Sequence, residues 1–289
     1  MKKILTILAA LAVALMFMGC AAEVAGNSDM IKVGGAGDKA TINYENDANT
    51  LARGFKTLKN KHLDAICKIE TTIVNIPAAE LSINNGEDDK KVTNGVMGVI
   101  FNYKENDAKT KANFSIVGTR YNQSTNKVEV YCESWTDIKL SALEEQLPAG
   151  TQATSSTDIS SSYNGWGKAL TASDFISGDK MTVWIDIIAN DGATGGRNGT
   201  AGTYTINVYN ADPGRKSATG ANALQWTNGL TPKASWTIPV ASVNNAYANS
   251  DLSTMKCKFG FYANVQPNVT FTGSWNFNKI AMEGEEIEE

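Results

Sequence analysis

The sequence predicts an all-β protein, a two-sheet antiparallel sandwich. Three observations lead there. Segment after segment alternates apolar and polar side chains, the period of a half-buried strand. The segments are separated by short turns rich in Asn, Gly, Asp, Ser and Thr. The composition is polar but weakly charged, with 42% hydrophobic and 19% charged residues among 289, which suits an exported β protein. No repeat of fixed period is visible, which argues against propellers and solenoids.

The pattern is clearest in residues 255–282, MKCKFGFYANVQPNVTFTGSWNFNKIAM. Met255, Cys257, Phe259, Phe261, Ala263 and Val265 share one face, opposite Lys256, Lys258, Gly260, Tyr262 and Asn264. Pro267 sits in the turn, where no ladder hydrogen bond is needed. Val269, Phe271, Trp275 and Phe277 resume the apolar face. Ile280 and Met282 are out of phase, which predicts a bulge or strand end.

The chain opens on a leader. MKKILTILAALAVALMFMGC has a basic start, an apolar run and a small residue before Cys20, the pattern of a bacterial secretory signal. Its ending, Phe17-Met18-Gly19-Cys20, resembles the lipobox of bacterial lipoproteins. That resemblance implies a signal peptide over 1–19 and palmitate-type lipidation of Cys20. Acyl chains there would anchor the protein to a membrane. Ala21 and Ala22 follow the cysteine, and by resemblance to enteric lipoproteins this favours the outer membrane, on its periplasmic or surface side. No other run is long and apolar enough to span a bilayer.

Residues 20–38 read as a flexible tether, with one β-sandwich domain over 39–282 and an acidic tail over 283–289. Gly35-Ala-Gly37 imitates a dinucleotide fingerprint but has no strand before it and no helix after it. ATINYEND and HLDAICKIETTIV (62–74) read as the first strands. GVMGVIFNY (95–103), ANFSIVGTRY (112–121) and KVEVYCESW (127–135) form a meander. Ile138, Leu140, Leu143 and Leu147 have helical spacing, and 150–168 reads as a long Ser/Thr/Gly loop. DKMTVWIDIIA (179–189), GTYTINVYNA (202–211) and ASWTIPV (234–240) lead to the closing pair.

In order, GVMGVIFNY, the strand ending in Arg120-Tyr121, KVEVY, MTVWIDIIA, TYTINVYN, FGFYANV and GSWNFNKI resemble the concanavalin A-like jelly roll of legume lectins and glucanases. The resemblance covers about residues 40–282. Combined with the lipobox, the chain is similar to jelly-roll lipoproteins of spirochaetes such as Treponema. The resemblance implies a two-sheet jelly roll and carbohydrate binding or processing.

The chemistry is sparse. The net charge is -4 with a single histidine, His62, which reads as a partly exposed strand-edge residue. A His-based triad or multi-histidine zinc site cannot be built from it. An acidic chain argues against nucleic-acid binding. The Glu-x-Asp-x-(x)-Glu motif that the glucanase resemblance implies does not occur. Glu129 and Glu133 face the same way but stand about 13 Å apart along the strand, beyond the separations that glycoside hydrolysis uses. Asp186 from another strand is the remaining candidate partner. A non-catalytic binding protein is therefore expected, with a glycan hydrolase or a structural envelope component as alternatives.

For binding, Tyr131, Glu133 and Trp135 share the outward parity of 127–135. Trp184 and Asp186 share it in 180–188, and Tyr163 and Trp166 lie in the loop before them. Aromatic faces stack on sugars while carboxylates bind hydroxyls, so these residues are expected to line one groove for a glycan or an envelope protein. The competing reading makes Trp135 and Trp184 the cover of a second small core. Asp186, Asn190, Asp191 and Asn198 offer oxygen ligands for calcium, without a known loop spacing. Cys67, Cys132 and Cys257 all fall on apolar parity, as core residues, with one disulfide possible among them.

Overall fold

In a computed structural model of the chain, the described residues are 30–34, 37–48, 52–76, 94–139, 158–160, 166–192, 195–217, 224–239 and 255–277. β1 (Ile31–Val33), β2 (Lys39–Asn46), β3 (Ala52–His62) and β4 (Ala65–Thr72) come first. The meander β5 (Gly95–Glu105), β6 (Lys111–Asn122) and β7 (Lys127–Lys139) follows. β8 (Asp158–Ser160) and β9 (Trp166–Thr171) precede a 3-10 turn over Ala172–Asp174 and the short β10 (Ile176–Ser177). Then come β11 (Lys180–Asn190), β12 (Thr203–Tyr209), β13 (Arg215–Ser217), β14 (Leu224–Trp226) and β15 (Ala234–Pro239). β16 (Cys257–Val265) and β17 (Val269–Phe277) close the described chain.

These strands form two antiparallel sheets. One runs β1-β2-β17-β4-β11-β12-β15, with β10 also on β11, and is eight-stranded; the other runs β3-β16-β5-β6-β7-β9-β8 and is seven-stranded. β13 and β14 pair only with each other. The chain passes from sheet to sheet between β2 and β3 and again between β16 and β17. Those crossings lie side by side, because β2 pairs with β17 and β3 with β16. Asn46 pins them: its Nδ2 donates to the carbonyls of Val265 and Gln266, both at 3.0 Å. A strand pair folded over the sandwich edge in this way is jelly-roll winding.

Alternation puts one face of each sheet into a shared core. The eight-stranded sheet contributes Ile69, Val183, Ile185, Ile206, Trp275 and Phe277; the seven-stranded sheet contributes Val99, Phe101, Val117, Val130, Phe259 and Phe261. Phe261 meets Trp275 and Phe277 at centroid distances of 5.7 and 5.3 Å. The Trp275 indole N–H donates to the Gly98 carbonyl at 2.9 Å, which satisfies the one polar atom the ring brings inside. The closing pair, read from sequence as the organising element, thus places one interior strand, paired on both sides, in each sheet.

Several expectations differ from the structure. The span expected to be a tether contains β1, and Met30 and Ile31 are buried in the core. An apolar side chain next to an open sheet edge gains more by pairing than by staying solvated. β3 falls where the sequence predicts no strand. ARGFKTLKNKH is lysine-rich because it is an edge strand, and edge strands carry charge against further pairing. β8 and the start of β9 lie inside the expected long loop. Ile138 belongs to β7 rather than to a helix; Leu140, Leu143 and Leu147 lie outside the described residues, as do 1–19, Cys20 and the tail. His62 is buried, not partly exposed, because register sets it opposite the core residue Cys257. Cys67, Cys132 and Cys257 are buried free thiols. Burial pushes the Cys67 and Cys132 thiols up, away from reactive thiolate.

Candidate functional site

The outer face of the seven-stranded sheet is set by the pairing of β6 with β7. Val117, Val128, Val130 and Cys132 point into the core. The residues between them therefore point out, and they meet in cross-strand rows: Arg120 with Glu129, Gly118 with Tyr131, Ile116 with Glu133, Phe114 with Trp135. Neighbouring rows on one face are about 7 Å apart. The second row continues through Gly98 to Tyr262 and Phe55 on β5, β16 and β3.

Two adjacent glycines make that row a dent. A Cβ on Gly118 would fall 2.5 Å from the Tyr131 hydroxyl oxygen, so the Tyr131 ring lies across the bare backbone. Around it packs a second apolar cluster, including Phe55, Ile100, Tyr103, Phe114, Ile116, Tyr131 and Tyr262, with Trp135 half-buried against it. Phe55 and Phe114 meet edge-on at 5.0 Å. This outer face is thus far more closed than a solvent-filled groove. Tyr131 is 2% exposed and Glu133 8%. The competing sequence reading, that Trp135 covers a second core, describes that part of the face.

Polar groups are set into this apolar surface. Arg120 is buried, and its Nε donates to Glu129 Oε2 at 2.6 Å. Glu129 Oε1 in turn accepts from Asn122 Nδ2 at 2.9 Å. The guanidinium is therefore neutralised and oriented, yet its Nη2 has no hydrogen-bond partner. Two rows away, burial pushes the Glu133 carboxyl up to about 7, against the pull of Arg120 and of the Trp135 indole. The Trp135 Nε1 lies close enough to favour the carboxylate but completes no hydrogen bond. Burial also raises Tyr262 to about 12, opposed by Asn264 and reinforced by Glu133.

Trp184 and Asp186 lie elsewhere. They sit on β11 in the other sheet, whose Val183, Ile185 and Ile187 face the core. Their side chains leave the opposite side of the sandwich, so the single groove expected from parity does not form. Shared parity established that both sets point outward; it could not show that the strands belong to different sheets. The same placement separates Glu133 from Asp186 as a carboxylate pair.

Asp186 belongs to a buried ion network. Arg215 Nε donates to its Oδ1 at 2.8 Å and Trp226 Nε1 to its Oδ2 at 3.1 Å. Arg215 Nη1 also pairs with Asp64, which accepts from Arg197 Nη2 at 2.7 Å. Burial opposes the Arg215 charge, but Asp186 and Asp64 outweigh it and raise its pKa. At the expected calcium loop, Asp186 is paired with Arg215. The Asn190 amide donates to Thr203 and Thr205 at 2.9 and 2.8 Å. Among the described residues no group of three or more His, Cys, Asp or Glu gathers for a metal ion. Trp166 opens β9 in register with Cys132; its side chain and Tyr163 lie outside the described residues.

Sequence reasoning missed Arg120. The available signal was an arginine within an apolar strand, two residues after a mid-strand glycine. Such a glycine marks a place where something lies close on the backbone.

No protein-family model and no curated protein matches the sequence. Among solved structures the chain is similar to a lectin, UEA-II complexed with galactose, at 8% identity and a TM-score of 0.31, covering 89% of this chain and 95% of that one.

Proposed function

We propose that this chain is an exported, lipid-anchored envelope protein that binds a glycan on the outer face of its seven-stranded sheet, without catalysing a reaction. One observation carries the binding reading. Arg120, Glu133 and Trp135 place polar atoms on an aromatic-floored surface, and a buried donor of Arg120 has no protein acceptor. Burying such a group costs about 1–3 kcal/mol, which an acceptor on a ligand would offset. Trp135 supplies a half-buried ring for stacking on a sugar. Anchoring rests on the sequence at Cys20.

A second reading has its own support. Phe55, Ile100, Phe114 and Ile116 are essentially fully buried on the same face, as a structural envelope component would have them.

A glycan array probed with the solubilised chain separates the two. Binding should fall about tenfold or more in Trp135→Ala and stay unchanged in Trp184→Ala, whose ring is on the other side. Absence of any bound glycan, or equal loss in both variants, contradicts the binding reading. For the anchor, radiolabelled palmitate should enter the wild type and not Cys20→Ala.

A further inference from the structure

This inference rests on the glycan reading and adds the chemistry of the sugar. The unmet polar atoms of the site are Arg120 Nη2 and Trp135 Nε1, and both are donors. Arg120 cannot swing to find another acceptor. Glu129 holds its Nε, and Asn122 holds Glu129. A guanidinium held on one side, with a buried donor on the other that has no acceptor, matches a carboxylate, whose charge-assisted hydrogen bonds are stronger than those of a neutral hydroxyl.

Burial deepens along the rows. Trp135 is half-buried, Glu133 is 8% exposed and Arg120 2%. A ligand entering at Trp135 therefore meets Glu133 next and Arg120 last. The distance, three row intervals or about 20 Å, exceeds one sugar ring. We propose that this face takes an acidic oligosaccharide, stacked on Trp135 and running along β7, with the carboxylate of its terminal sugar on Arg120 Nη2.

Glu133 makes that binding pH-dependent. The charged and titratable groups around it are Arg120 from β6, Tyr262 from β16 and, acting on Tyr262, Arg53 from β3. Its own strand adds Glu129 and Tyr131 on the same face and Cys132 behind. Glu129 already offsets Arg120. An ionised Glu133 then repels a second carboxylate, whereas a protonated one can donate a hydrogen bond to it. Burial places this change near neutrality.

The test is calorimetric titration of the detergent-solubilised full chain with a galacturonic-acid trisaccharide, its neutral galactose counterpart and acetate. The acidic trisaccharide should bind about tenfold or more tightly near pH 5.5 than near pH 8. Glu133→Gln should bind it equally at both, and Arg120→Lys, shown to be folded by circular dichroism, should weaken it. The neutral sugar should bind more weakly and without pH dependence. Equal affinity for both sugars at the lower pH, or an unchanged pH dependence in Glu133→Gln, overturns the proposal. So does acetate competing as well as the acidic sugar. If the neutral sugar alone binds and Trp135→Ala removes it, the glycan reading stands and this inference fails. If neither sugar binds, both fail.

Discussion

Glu133 sits in an environment that a carboxylate does not prefer. A carboxyl at 8% exposure among Ile116, Tyr131 and Trp135 is pushed up to about 7. The folded state then binds its proton more tightly than the unfolded chain does. Its contribution to stability is fully present below the ordinary carboxylate pKa. It is lost as pH rises through that range to about 7 and stays constant above. Urea denaturation at intervals across this window should show wild-type stability falling by a few kcal/mol relative to Glu133→Gln, which lacks the proton. Parallel profiles for the two proteins would show that Glu133 titrates normally. Arg120, the residue next in importance, was invisible to parity arguments. Its alternation with Gly118 and Ile116 reads as an ordinary outward residue. Only the register with Glu129 shows that it is buried and half satisfied.

Among the elements, β11 shows best how the two outer faces differ. Its core side is Val183, Ile185 and Ile187, as alternation predicts. Its outer side holds Asp186, which ties Arg215 at the start of β13 and Trp226 at the end of β14 to the eight-stranded sheet. Asp64 adds Arg197 from the β11–β12 connection. Three segments that sequence left as loop or irregular chain are fastened by these charges. Replacing one partner leaves the others buried and unpaired, so Arg215→Leu should cost about 3–5 kcal/mol, read by urea denaturation. Glycan binding should survive in the fraction that folds, because the network lies on the far side of the sandwich. A loss under about 1 kcal/mol would mean that the network is solvated and weak.

At the scale of the whole molecule, the sandwich was legible because alternation is a local property and the core is its sum. The closing pair, the meander and the β11–β12 hairpin all sit close to where period-two patterning put them. Edge elements were not legible. β3 is lysine-rich because one side of it is unpaired, and β1 is too short to show a period. Sheet membership was not legible either, and it decides the site. Tyr131 and Trp184 have the same parity in their own strands, yet they face away from each other across a core filled by Phe261, Trp275 and Phe277. The passage from β9 in one sheet to β10 and β11 in the other determines that, and no local pattern encodes it. The charge network around Asp186 was hidden for the same reason: Asp64, Asp186, Arg197 and Arg215 are far apart in sequence. The central claim is that one outer face, that of β6 and β7, is the binding surface. A crystal structure of the chain grown with the tightest-binding glycan tests it most directly. Density for the sugar against Trp135 and reaching toward Arg120 is the predicted result; density against Trp184, or none at saturating glycan, would contradict it.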